Sequence, residues 1–194
     1  MKLSKKGEYA LRALIDLGIA AEVGRSLVQV TELADHEKLP IKFLEQIMMV
    51  LKEAGLIESQ RGKFGGYRLA RPAGKIIIGQ VVRLIDGPLA PIGCVSHTAY
   101  EKCSCPDETH CGLRMLMLDV RNAITSILDR YSLADVVEVT LRKMRRDGVP
   151  LPYSAPRRAP LAAGQSRKSA RAGLAARLQP VDGLISNLLG DYAI

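Results

Sequence analysis

The chain has no tryptophan and only two phenylalanines among its 194 residues. A partner held by bases stacked on an aromatic platform is therefore not expected. No run of eighteen apolar residues occurs, so no segment is expected to span a membrane. The opening Met1-Lys-Leu-Ser-Lys-Lys-Gly-Glu8 carries no apolar stretch behind its charges, which makes a cytoplasmic location the expectation. A glycine-rich nucleotide fingerprint, HExxH and a nucleophile elbow are all missing, so no enzyme is expected. Cysteine is scarce too, with four in all, yet every one falls between positions 94 and 111.

That segment holds Cys94, Cys103, Cys105 and Cys111, together with His97 and His110. Its Pro, Ser, Thr and Asp content predicts a loop. Thiols crowded on flexible backbone suit a metal or metal cluster, because the ligands must converge on one point. Disulfides need an oxidising compartment, for which nothing in the chain argues. Zinc knuckles use C-x2-4-C spacing, whereas the closest pair here is Cys103-Ser-Cys105. Spacing alone leaves an iron–sulfur cluster, zinc and redox-active thiols open.

Net charge is +8, distributed as +4 over residues 1–87, +1 over 88–146 and +3 over 147–194. The excess favours an anionic partner and spares the cysteine segment.

Ser4 is placed to cap a helix reaching about Ala21, with Leu11, Leu14, Ile15, Gly18 and Ile19 on one face. Leu27–Val30 reads as a short extended approach, and Thr31 as the cap of a brief helix over Glu32–Glu37. Pro40 begins the next helix, Ile41 to about Ala54, which buries Leu44, Ile47, Met48 and Leu51 before Gly55 ends it. Leu56–Ser59 and Tyr67–Leu69 read as strands around a basic, glycine-rich tip. Two helices about a turn followed by such a hairpin make a winged helix-turn-helix. The fold class is thus mainly α with a small β-hairpin wing, extended by a long helix. Lys42, Phe43, Glu45 and Gln46 open the second helix, the position from which base edges are read in double-stranded DNA. Phe43 is equally suited to closing the core. Arg61, Lys63, Gly65, Gly66 and Tyr67 form the wing, whose cations suit phosphates or a minor groove.

A helix through Val81, Val82, Leu84 and Ile85 stops at Gly87-Pro88. After the cysteine loop, residues 113–131 predict a long helix with an apolar stripe of Leu113, Leu116, Val120, Ile124, Ile127, Leu128 and Tyr131. That stripe is too large to leave wet; packing back on its own domain would cover it, and a homodimer is the preferred expectation. Ser132 and Asp135 make a capping box for a last helix, Leu133 to about Arg146. The organisation read from this is 1–87 winged helix, 88–112 cysteine loop, 113–146 dimerisation and final helices, and 147–194 a basic, disordered tail.

Several motifs together resemble one family. They are Met1-Lys-Leu-Ser-Lys-Lys-Gly-Glu-Tyr-Ala10, Phe43-Leu-Glu-Gln-Ile47, Leu51-Lys-Glu-Ala-Gly-Leu-Ile57, Arg61-Gly62 with Gly65-Gly-Tyr-Arg-Leu69, and Cys105-x5-Cys111-x2-Arg114. The chain resembles, over about residues 1–146, the IscR/NsrR/RirA-type regulators of the Rrf-two family. The resemblance implies a homodimeric DNA-binding regulator, a repressor by expectation, whose operator affinity follows a 2Fe–2S or 4Fe–4S cluster. Cys94, Cys105 and Cys111 match the family cysteines, and Cys103 is additional. The fourth ligand is then Cys103 or Glu8 of a partner subunit, with His97 and His110 weaker candidates. Oxidation, nitric oxide or iron shortage would be the signal.

Overall fold

The computed structural model describes residues 3–154. Helix α1 (Lys5–Glu22) is its axis, begun where the Ser4 hydroxyl accepts from the Gly7 amide at 2.9 Å. The expected stripe is only part of its contact surface. Ala10, Ala13, Leu14, Leu17, Gly18, Ile19 and Ala20 are all buried, while Leu11 and Ile15 are half-buried. Small residues let neighbours approach α1 from several sides, so burial here is not confined to one face.

Helix α2 (Val30–Glu37) has its cap two residues earlier than predicted: Gln29 takes the place of Thr31, and the Glu32 carboxylate accepts from its amide at 2.9 Å. Helix α3 (Ile41–Glu53) starts after Pro40, at φ −63°, and buries Leu44, Ile47, Met48 and Leu51 as expected. Gly55, at φ +66°, turns the chain in the left-handed region where glycine carries no penalty. Strands β1 (Ile57–Gln60) and β2 (Gly66–Leu69) pair antiparallel, from Ile57 opposite Leu69 to Gln60 opposite Gly66. The approach to α2 joins this hairpin: Val28 and Tyr67 exchange backbone hydrogen bonds of 3.0 and 2.7 Å.

Helix α4 (Ile78–Asp86) follows, and its C-terminal Asp86 accepts from the Ser4 amide at 2.9 Å and from the Ser4 hydroxyl. A short 3-10 turn at Gly93–Val95 precedes the cysteine loop, then come α5 (Gly112–Arg130) and α6 (Leu133–Arg146). The Ser132–Asp135 capping box forms as read. Helix α6 is no outlying element. Leu133, Val137 and Leu141 join the core built on α1, and a Cβ at Gly18 would lie 2.6 Å from Val137 Cγ2.

The packed body also continues beyond residue 147, since Leu151 and Tyr153 lie against the same core. An apolar stem that returns to α1 escapes a reading based on the surrounding Pro, Gly and Arg. The expectations for the rest of the tail, its basic residues included, lie outside the described residues. Helix α5 differs from the others: none of its residues is buried. Leu128 and Tyr131 at its end pack on the small cluster of Ile78, Val82 and Leu89, while Leu113, Met115, Leu116 and Ile127 stay more than half exposed.

Candidate functional site

The outer face of α3 is polar at its start because its buried positions repeat at three and four. Lys42 and Gln46 are exposed, and Glu45 sits 3.6 Å from the Lys42 ammonium. Phe43 turns inward, its ring edge-on to Tyr9 at 5.8 Å, so it serves the core. Met49, 60% exposed, shares the outer face with Gln46. Its place three residues beyond Gln46 was the available sequence signal, and apolar character concealed it.

At the wing, Arg61 and Lys63 are exposed and Phe64 stands out beside them, the Lys63 ammonium 5.9 Å from its ring centroid. Gly65 is buried under the tip, where a Cβ would meet Gln60 O at 2.1 Å. At Gly66 a Cβ would meet Val28 O at 2.5 Å, so these glycines let the hairpin close on itself and on the approach to α2. Tyr67 supplies the backbone joint to Val28 and is half-buried. Arg68 is held by Glu58 across the strands at 2.6 Å. The wing and the start of α2 enclose an open concavity of about 470 Å³ lined by Gln29, Thr31, Arg61 and the two glycines.

The structure brings all four cysteines to one cavity of about 260 Å³ at the N-terminal end of α5. Cys94 is buried in the 3-10 turn, Cys103 and Cys111 are half-buried, and Cys105 is exposed. Cys111 is the N-cap of α5, its Sγ accepting from the Arg114 amide at 3.4 Å. Burial pushes the Cys94 thiol up, and Cys103 beside it adds to this. Cys103, and then Cys111, push the Cys105 thiol up to about 11. The four sulfurs thus form a chain of neighbours in which like charge resists ionisation unless a cation is present.

Arg114 lines the same cavity. Its Nε is buried without a hydrogen bond, although the Glu108 carboxylate lies 3.1 Å away, so the contact is one of charge without alignment. The Tyr100 hydroxyl donates to the same Glu108 carboxylate, whose oxygens lie 2.7 and 2.9 Å away. Soft thiolates with a cationic wall are a donor set that fits an anionic iron–sulfur cluster. In the spacing Cys105-x5-Cys111-x2-Arg114 nothing marks Arg114 as a charge facing the thiols.

The other candidate ligands have these places in the protomer. Glu8 does not line its own chain's cavity, and its carboxylate is held on α1 by Lys5 at 2.7 Å and Arg12 at 3.5 Å. His110 is engaged by Asp107 at 2.6 Å, and His97 faces a separate cavity with Arg83 and Arg121. Among the described residues no helix is long and apolar enough to cross a membrane.

Comparison with known proteins agrees with this architecture. Residues 3–139 match the Rrf2 family, described as an iron-dependent transcriptional regulator. A putative HTH-type transcriptional regulator rrf2-like from Rhodobacter capsulatus is 37% identical over 139 residues, covering 70% of this chain and 91% of that one. IscR of Aliivibrio salmonicida is 32% identical over 137 residues, covering 71% and 77%. Among solved structures, CymR (YrzC), the global cysteine regulator of B. subtilis, superposes with TM-score 0.60 at 29% identity, covering 72% of this chain and 98% of that one. T. potens IscR gives 0.56 at 28% identity, covering 72% and 88%. With a helix-turn-helix, a wing and a family match over most of its length, the chain belongs to the Rrf2 family and is a DNA-binding transcriptional regulator, not an enzyme.

Proposed function

We propose that the chain works in the cytoplasm as a homodimeric, sequence-specific repressor whose operator affinity is set by an iron–sulfur cluster held in the cysteine loop. The observation that carries the reading is the meeting of Cys94, Cys103, Cys105 and Cys111 in one cavity with the Arg114 guanidinium. In this reading α3 presents Lys42, Glu45 and Gln46 to base edges, and Arg61 and Lys63 lie along phosphates or a minor groove. The exposed face of α5 joins a second copy, whose Glu8 is available as an alternative to Cys103 as the fourth ligand. When bound, a 2Fe–2S or 4Fe–4S cluster supplies a centre whose integrity responds to oxidants, nitric oxide and iron supply.

The chain's own residues supply the coupling. Cys94 and Cys111 must give up their protons and stay close, which fixes the loop between them. Arg114 balances part of the thiolate charge. Cys111 ties the loop to the first turn of α5, so loop order and the seating of that helix change together. A coupling of ~1–3 kcal/mol, roughly 5–150-fold in affinity, is the usual range for such linkage.

Anaerobic purification with visible absorption and iron and sulfide analysis tests the cofactor, and gel shifts of loaded and stripped protein test the coupling. A colourless protein with one zinc per chain would overturn the cluster. A second reading, thiol switching without metal, is favoured by one contact: Cys103 interacts with both Cys94 and Cys105. It is consistent with a similar solved structure, the oxidized form of Staphylococcus aureus CymR, at 30% identity and TM-score 0.57. Mass spectrometry after mild oxidation distinguishes it by a disulfide among these cysteines.

A further inference from the structure

Asp16 is 1% exposed on α1, and neither the DNA-reading surface nor the cysteine site uses it. Its Oδ2 is held from two sides. His36 Nδ1, near the end of α2, lies at 3.0 Å, and the Tyr153 hydroxyl, on the stem after α6, donates at 2.7 Å. The two rings also touch, with centroids 5.4 Å apart. Tyr153 has φ +63°, a conformation unfavourable for a non-glycine residue and retained only where surrounding contacts impose it. Three distant parts of the chain therefore meet on one carboxylate.

We propose that Asp16, His36 and Tyr153 are positioning residues for DNA reading: a latch that fixes the end of α2, and with it the start of α3. The inference rests on α3 being the reading helix. Helix α2 has eight residues and buries only Leu33 and Ala34, so it cannot hold its own place. Glu32 and Arg25, 2.8 Å apart, secure its beginning. Its end depends on Asp16–His36 and on Arg12, which binds the Glu37 carboxylate and donates to Glu37 O at 2.6 Å. Lys42 and Gln46 follow only a few residues later, so a shift of α2 there re-aims them.

The groups facing His36 are Asp16 from α1, Glu37 at 3.6 Å on its own helix, and Tyr153 from the stem. Arg12 is spent on Glu37 and Glu8, leaving the Asp16 carboxylate to the imidazole. Burial pushes the Asp16 carboxyl up, while the Tyr153 hydrogen bond and the His36 charge act against that. Asp16, His36 and Glu37 also bring ligand atoms within 4.8 Å of one another, which makes a bound cation the alternative to exclude.

The test uses the full chain, purified anaerobically, with a duplex that it selects from a random-sequence pool. At constant salt and pH, His36→Leu should weaken binding about tenfold, the loss of one hydrogen bond to a carboxylate. His36→Gln, which keeps a donor for Asp16, should restore part of that loss. Tyr153→Phe, which keeps the ring, should also weaken binding, and both His36→Leu and Tyr153→Phe should lower amide protection in α2 more than in α4. Wild-type affinity in both variants overturns the latch, as does a loss that appears only with added zinc. If no duplex is selected, the DNA-reading assignment fails, and amide exchange decides the latch alone. Wild-type protection of α2 in both variants then overturns it.

Discussion

Replacing Leu116 by Asp is expected to separate the proposed dimer without unfolding the protomer. Leu113, Met115, Leu116 and Ile127 are 57%, 67%, 54% and 54% exposed, so about half of each side chain remains to be covered. Full burial of such a side chain is worth about 2 kcal/mol, so the uncovered half contributes about 1 kcal/mol each. Two copies of four residues then bring about 8 kcal/mol to a symmetric interface before the costs of association. Leu116→Asp removes about 2 kcal/mol of that across both copies and adds two facing carboxylates, for a total of at least about 4 kcal/mol. The dimer dissociation constant should rise by roughly a thousandfold. Sedimentation equilibrium of the wild-type and variant chains measures it, with circular dichroism as a control. The control matters because α5 has no buried residue, so the folded protomer's far-ultraviolet spectrum should barely change. A variant that sediments as the wild type does, or a monomeric wild type at micromolar concentration, refutes the reasoning.

Two further outcomes follow from the geometry. Gly65→Ala places a Cβ 2.1 Å from Gln60 O and forces the wing backbone to move by roughly 1 Å, at about 1–3 kcal/mol. Duplex affinity should fall by about tenfold or more in a gel shift, while metal content should not change. Asp129→Asn breaks the paired contacts of 2.7 and 2.6 Å from Arg83. Arg83 holds the Asp129 carboxyl below its ordinary value, so this pair stabilises above the unfolded carboxylate range near about pH 4 and is lost as pH falls through the lower folded value. Because both side chains are about a third exposed, the difference should be about 1 kcal/mol in urea unfolding at neutral pH and should vanish in acid.

Much of the fold was legible because local chemistry and packing agree. Ser132 with Asp135 marks the start of α6, Gly55 marks a left-handed turn, and the glycines at 65 and 66 mark a hairpin that must close tightly. The crowding of cysteines was legible as well, since convergence needs only a loop. What escaped was carried by small or polar residues in apolar surroundings. Ala10, Ala13 and Gly18 bury as fully as leucines, but periodicity weighted by size overlooks them. Asp16 reads as a solvated charge until Tyr153 arrives from 137 positions away. Arg114 has an ordinary place on a helix, and only the fold reveals that its Nε is enclosed beside thiols.

The turn between α5 and α6 is sewn to the strand-like entry of α4: Ile78 donates to Tyr131 O at 3.0 Å, and Leu133 to Ile76 O at 2.7 Å. One end of the 19-residue α5 is therefore a pivot, and the opposite end carries Cys111. Such a helix is a lever about 28 Å long, and a swing of ~5° displaces its free tip by roughly 2.5 Å. Adjustments around sulfur at that tip would thereby be carried along the helix to a twofold seam, where half-sites about 34 Å apart leave little tolerance for misplaced reading heads.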